Sequence, residues 1–299
     1  VGADPPGGHL DWARDGAGWP HPDASRFVDA GGLRWHLQRF GTPGAPIVLL
    51  LHGTGAATHS WRDLAPMLAG TFDVVAPDLP GHGFTSMPPD RVLSLPRMAR
   101  AIGALVRSLG LAPALVVGHS AGAALAVRMT LDRMVAPAAL VSLNGAFVAF
   151  GGLPGRVFSP AAQMLAGTRL APRLFARLAG QPTVLDRLLA GTGSSIDDAG
   201  RRAYALLAAN PGHVAGALGM MAHWDLTPLE HALPRLTCEL LLIAGADDQM
   251  VPPSQSERVR LRVPNATREV LPGLGHLAHE ERPDLIAARI TALAARHGL

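Results

Sequence analysis

Pro113-Ala114-Leu115-Val116-Val117-Gly118-His119-Ser120-Ala121-Gly122 decides the fold. Five apolar residues, Pro113 to Val117, lead into Gly118 with the character of a buried strand, and a small-residue helical pattern from Ala123 to Met129 leaves Gly122. The segment reads as strand, sharp turn and helix, with Ser120 at the apex. So tight a turn strains its central residue and leaves room only for small residues two positions away on either side, here Gly118 and Gly122. It lifts the Ser120 hydroxyl out of the sheet toward a pocket. The competing reading of Ser120 is an ordinary helix N-cap, but N-caps rarely stand between two such glycines after a buried strand.

A hydroxyl attacks poorly at neutral pH unless a base takes its proton and a third group orients the base. Downstream, the apolar run Leu240 to Ala244 ends in Gly245-Ala246-Asp247-Asp248-Gln249-Met250-Val251-Pro252, which places an acid just past a buried strand. Asp248 is favoured over Asp247 because it stands three residues after Gly245 and three before Val251. Val270-Leu271-Pro272-Gly273-Leu274-Gly275-His276 then places a histidine on a glycine-bracketed loop after another short strand. The chain has 13 histidines, so most are structural, and His276 is singled out by its loop and its position after the acid. His279 reads as a helix-start residue. Earlier, the buried strand Ile47 to Leu51 runs into His52-Gly53-Thr54-Gly55, where glycines let backbone amides approach an oxyanion. The expected donors are the amides of Thr54 and Ala121. His52 and His119 are expected to stabilise the loops around them, together with Gly53, Gly55, Gly118 and Gly122, and His82 to pack behind the site.

Composition narrows the alternatives. At 299 residues and 48% apolar content the chain can bury a large core without disulfides or metal. Its single cysteine, Cys238, opens an expected buried strand and cannot form an intrachain bridge, which fits a reducing compartment. No metal or cofactor site is expected. The isoelectric point near 10.2 does not signal nucleic-acid binding. All 26 basic residues are arginine and there is one tyrosine, Tyr204, so almost nothing titrates between histidine and arginine and a net charge of +3 persists to high pH. No stretch reaches the ~18 uncharged apolar residues of a spanning helix, and residues 1–22 lack a signal-peptide layout. The expectation is a soluble cytoplasmic chain whose residues 1–24 form a loose arm, with Trp12 and Trp19 available to pin it.

Gly31-Gly32 separates Phe27 to Ala30 from Leu33 to Phe40, a hairpin pattern. Strand and helix patterns then alternate: a strand at Ile47 to Leu51, a helix over Ser60 to Leu68, a strand at Phe72 to Ala76, a helix over Leu95 to Leu109, the Leu115 strand and its helix, and a strand at Ala139 to Leu143. The rhythm predicts an α/β fold, a mainly parallel sheet with helices on both faces and an antiparallel edge, with all four site loops along one end. From Gly145 to Arg235 the strands stop and helical fragments take over, so residues 25–144 and 236–299 read as the core and 145–235 as a helical cap over Ser120. That insertion holds eight arginines against five acids. Arg169, Arg173 and Arg177 recur at helical spacing beside Leu170, Leu174 and Leu178, an amphipathic helix whose basic face is solvated or meets carboxylates or an anionic membrane surface. His213, His223 and His231 lie in the same insertion.

The sets around His52-Gly53-Thr54-Gly55, Asp78-Leu79-Pro80-Gly81-His82-Gly83, Ser120, Asp248 and His276 resemble the α/β-hydrolase superfamily over nearly the whole chain from about residue 25. More narrowly, Gly31-Gly32-Leu33-Arg34-Trp35-His36, the run from His52 to Arg62, and the run from Ala76 to Thr85 resemble the BchO-type magnesium-chelatase accessory proteins of bacteriochlorophyll biosynthesis. The resemblance implies a tetrapyrrole context: a flat apolar macrocycle with carboxylate or ester arms, and magnesium-chelatase subunits as partners. Two classes stay open, a serine hydrolase acting on an ester or acyl bond and a non-catalytic protein that binds or delivers a tetrapyrrole. Dehalogenases and epoxide hydrolases of this fold carry aspartate where Ser120 stands.

Overall fold

The computed structural model describes residues 8–148 and 170–299. Eight strands form one sheet in the order β1-β2-β4-β3-β5-β6-β7-β8, with β1 Ser25–Ala30, β2 Leu33–Phe40, β3 Ile47–Leu51, β4 Asp73–Pro77, β5 Pro113–His119, β6 Ala139–Leu143, β7 Glu239–Gly245 and β8 Ala266–Leu271. β1 and β2 are the hairpin around Gly31-Gly32, β2 pairs antiparallel with β4, and every pairing from β4 through β8 is parallel. Parallel crossovers place the C-terminal ends of β3, β5, β6, β7 and β8 at one end of the sheet.

Alternation along the central strands divides the core in two. Leu49 and Leu51 of β3 pack with Met98, Ile102 and Leu125, from helices α3 (Leu95–Ser108) and α4 (Ala121–Leu131). Val48 and Leu50 pack on the opposite face with Leu64 and Leu68 of α2 (Leu64–Leu68) and Ile286 and Ile290 of α12 (Pro283–Arg296). Strands buried on both faces read as unbroken apolar runs, and β3 (Ile-Val-Leu-Leu-Leu) is such a run. α1 (Trp12–Asp15) belongs to the N-terminal arm.

Between β6 and β7 the described residues contain no strand. They form α5 Ala171–Ala179, α6 Pro182–Ala190, α7 Asp198–Ala208, α8 Pro211–His223 and α9 Thr227–Ala232. Asp197 caps α7 through the Gly200 amide and Asn210 caps α8 through the His213 amide. α5 exposes Arg173, Leu174, Arg177 and Leu178 together, whereas Arg169 lies outside the described residues. Two short helices, α10 (Ser254–Arg260) and α11 (Ala278–Glu281), follow β7 and β8.

The described part of the N-terminal arm is packed rather than loose. Trp19 is buried and its indole N–H donates to Thr58 Oγ1 at 3.0 Å, while the Trp12 ring lies edge-on to Phe27 and Phe84 at 5.6 and 4.9 Å. Smaller differences from the sequence reading sit at element ends. The expected Ser60–Leu68 helix is a 3-10 turn, Thr58–Trp61, followed by α2: the Ser60 and Arg62 amides bond three residues back, to the Ala57 and His59 carbonyls, each at 3.1 Å. Cys238 is half-buried and falls one residue before β7.

Candidate active site

Ser120 stands between β5 and α4 with φ 51° and ψ −117°, a conformation costing about 1–3 kcal/mol that persists only where packing imposes it. The packing is specific. A Cβ on Gly122 would overlap the Leu51 carbonyl and one on Gly118 would overlap the Ala123 amide, so both positions need glycine. A Cβ on Gly53 would lie 3.0 Å from both Ser120 Cβ and His119 Nδ1. The His52–Gly55 loop is thus seated directly against the turn.

Asp248 and His276 are joined. His276 Nδ1–H donates to Asp248 Oδ2 at 2.8 Å; in the neutral ring this tautomer makes Nε2 the acceptor. Asp248 is buried. Its Oδ1 accepts from the amides of Met250 and Val251, each at 2.8 Å, and its Oδ2 accepts a second bond, from Asn144 Nδ2 at 2.7 Å. Asp247 is exposed and is held through its backbone, its amide donating to the Leu274 carbonyl at 2.9 Å.

Ser120 meets this pair through its neighbour. His119 Nε2–H donates to the His276 carbonyl at 2.9 Å, and the two rings lie 4.8 Å apart. The Ser120 hydroxyl has no hydrogen-bond partner among the described residues, His276 included. Neither the Thr54 nor the Ala121 amide donates to a loop or side-chain acceptor among the described residues. The two expected oxyanion donors are therefore without such an acceptor among the described residues.

Several of the remaining histidines are buried, and burial disfavours their charged form. His52 Nδ1–H donates to the Gly53 carbonyl at 2.8 Å while Nε2 accepts from the Leu79 amide at 2.8 Å; burial lowers its pKa. His82 donates to the Pro80 carbonyl, and His82 and His119 are pushed well down, first by burial. His213 of α8 uses both nitrogens, accepting from the Gly83 amide at 3.0 Å and donating to the Gly55 carbonyl at 3.1 Å, and burial brings it to about 4. His223 contacts the Gly219 carbonyl of its own helix, and His231 is exposed. Asp78 is the buried acid of this region. Burial raises its pKa, but His36 at 2.7 Å and the amides of Thr58 and Phe84 outweigh that and hold it at about 2. Among the described residues no group of three or more His, Cys, Asp or Glu side chains is arranged to hold a metal ion, and no helix is long and apolar enough to cross a membrane.

Sequence reasoning missed Asn144, which directly follows β6 and has φ 50°. Its only local signal is an Asn-Gly pair after an apolar strand. It also missed the insertion's contacts to the site: Thr54 Oγ1 donates to Met220 Sδ of α8 at 3.3 Å, and the His276 amide donates to the Thr192 carbonyl at 3.0 Å.

Comparison with known proteins agrees with this architecture. The α/β hydrolase fold family matches residues 46–283. The magnesium-chelatase 30 kDa subunit of Rhodobacter capsulatus is 38% identical over 274 residues, spanning 92% of this chain and 95% of that one. The 2-hydroxy-6-oxo-6-phenylhexa-2,4-dienoate hydrolase of Burkholderia cepacia is 26% identical, spanning 84% and 88% of the two chains. Among solved structures, an α/β hydrolase fold protein from Burkholderia ambifaria superposes with a TM-score of 0.74 at 25% identity, covering 90% of this chain and 97% of that one. The chain belongs to the α/β-hydrolase fold family and, within it, to the group that includes the magnesium-chelatase 30 kDa subunit.

Proposed function

We propose that the protein is a serine hydrolase in which Ser120 attacks an ester or related acyl carbonyl, His276 is the base and Asp248 orients it. The hydrogen bond from His276 Nδ1–H to the buried Asp248 carboxylate carries this reading, because it presents a bare Nε2 at the loop beside the strained Ser120 turn. Ser120 Oγ adds to the carbonyl carbon as its proton passes to His276 Nε2. The oxyanion is received by the amides of Thr54 and Ala121, each such donor contributing about 3–4 kcal/mol to the transition state. His276 then returns the proton to the leaving alcohol, and water attacking the acyl-serine by the same route releases the acid and restores Ser120.

Residues 145–235 act as a cap in this proposal, with residues 1–24 as an arm and the rest as the core. The contacts of Met220 with Thr54 and of His213 with Gly55 support that role. Residues 149–169 of the insertion lie outside the described residues. Similarity to a magnesium-chelatase 30 kDa subunit supports a substrate from tetrapyrrole biosynthesis, an ester-bearing macrocycle, with chelatase subunits as partners and a cytoplasmic setting. The test is reaction with a fluorophosphonate followed by peptide mass spectrometry. The adduct is expected on Ser120 and absent from Ser120→Ala. Folded wild-type protein that takes no label would favour a tetrapyrrole-binding role without turnover.

A further inference from the structure

We propose that Ser194 and Glu281 are positioning residues that clamp the His276 loop, so that the base is held in place by the Thr192–Ser195 segment of the insertion; this rests on the serine-hydrolase reading above. The carbonyls of this loop are held from the core, Leu274 by the Asp247 amide, Gly275 by Asn144 Nδ2 and His276 by His119 Nε2, but its amides need anchors of their own. It carries Gly273 at φ +72° and Gly275, which leave the chain free to adopt many conformations, and the bond to Asp248 restrains the ring but not the backbone.

The anchors fall on three successive amides. Gly275 N–H donates to Glu281 Oε2 at 2.8 Å, His276 N–H to the Thr192 carbonyl at 3.0 Å, and Leu277 N–H to Ser194 Oγ at 2.8 Å. Ser194 is the centre of the clamp: the hydroxyl that accepts from Leu277 donates in turn to Glu281 Oε2 at 2.8 Å. Glu281 Oε1 accepts from the Ser195 amide at 3.0 Å. Bonds to an ionised carboxylate are the stronger kind, so one carboxylate ties the insertion segment and the base loop together.

Backbone contact makes the arrangement tight. A Cβ on Gly275 would lie 2.5 Å from Ser194 Oγ. Gly193, at φ +75°, would drive a Cβ into the Asp247 carbonyl. The segment therefore rests on the acid loop and the base loop at once, and its displacement loosens the backbone under His276. None of these side chains reaches reacting atoms; their effect passes through the base.

The experiment measures fluorophosphonate labelling against probe concentration in full-length protein, separating the maximal rate from the concentration that gives half of it. Ser194→Ala and Glu281→Ala are expected to lower the maximal rate roughly 10- to 100-fold, the scale on which misplaced catalytic groups act, with half-saturation near that of the wild type. Ser194→Thr, which keeps the hydroxyl, should restore the rate, and Ser195→Ala, whose side chain makes none of these bonds, should leave it unchanged. Hydrogen exchange of the peptide spanning Gly275–Leu277 should quicken in Ser194→Ala and Glu281→Ala and not in Ser195→Ala. Wild-type rates in folded Ser194→Ala, or losses matched by the fraction unfolded, would overturn the clamp while leaving the serine-hydrolase reading standing. A wild type that is not labelled at Ser120 would overturn that reading and the positioning role with it.

Discussion

Asn144 donates its side-chain amide to Asp248 Oδ2 at 2.7 Å, the same oxygen that accepts from His276 Nδ1. The Asn144 amide also reaches the Gly275 carbonyl at 3.3 Å, so one side chain spans Asp248 and the His276 loop. Asn144→Ala removes a donor from a buried carboxylate, where such a bond is worth about 1.5–3 kcal/mol. The expected result is a fall in Ser120 labelling rate of roughly 10- to 100-fold with folding retained. A wild-type rate would show that the two backbone amides on Oδ1 suffice.

The neighbouring acids give a sharper contrast. Asp248 faces His276 from a buried position, whereas Asp247 is exposed and engaged through its backbone. Asp248→Asn replaces an acceptor with a group that can turn a donor toward Nδ1, favouring the wrong tautomer, a change that costs on the order of 10⁴ in comparable triads. Asp247→Asn is expected to change the rate less than about twofold. Stopped-flow labelling of the two variants checks this, and the reverse order of effects would move the acid to Asp247.

Much of this arrangement is legible in the sequence because it is local. An apolar run, a glycine-bracketed turn and a helix pattern each announce themselves within ten residues, and parallel crossover topology then fixes which end of the sheet carries the loops. Element ends were less legible. β8 (Ala-Thr-Arg-Glu-Val-Leu) is an edge strand paired, among the described residues, with β7 alone, so its polar face reaches solvent and hides the start of the strand. Least legible were residues whose roles depend on contacts across the chain. Asn144 meets a residue 104 positions away and Ser194 one 87 positions away, and no periodicity encodes such pairs.

Buried neutral histidines set the acid limit. Burial is the first cause that brings His213 to about 4 and His279 to about 3, and it also pushes His52, His59, His82 and His119 down. Unfolded histidines titrate near ~6.5, so between that value and the folded ones the unfolded chain binds more protons. Their contribution is whole above ~6.5 and lost as the pH falls, each adding a slope of up to ~1.4 kcal/mol per pH unit. Glu280 runs the other way: burial, opposed by Arg62 and Tyr204, raises it to about 7. Its contribution is present below ~4.5, the usual carboxyl value, and fades as the pH rises toward its folded value. The histidines outnumber it, so urea midpoints are expected to fall from pH 7 to pH 5. A midpoint that holds steady or rises over that interval would contradict the assignment.

The Arg62 guanidinium ties three elements together at one buried point. It donates to Glu280 Oε2 of α11 at 2.5 Å and to Asp197 Oδ1, the cap of α7, at 2.8 Å, and lies 3.2 Å from Asp63. Tyr204 of α7 donates its hydroxyl to Glu280 Oε1 at 2.8 Å. Arg62→Ala leaves the Glu280 carboxylate buried with Tyr204 as its remaining partner, and breaking a buried pair in this way costs about 3–5 kcal/mol. The cost depends on pH. Without Arg62 nothing cationic opposes burial, so the folded Glu280 pKa rises further above its unfolded value, and the penalty is smallest where the carboxyl stays protonated. Urea unfolding of Arg62→Ala relative to wild type is therefore expected to show a larger deficit at pH 8 than at pH 6, with Tyr204→Phe losing only about 1–3 kcal/mol at either pH. An Arg62→Ala deficit that is equal at both pH values would mean that Glu280 is solvated once its partner is gone, and that the contact holds the insertion to the core by packing rather than by charge.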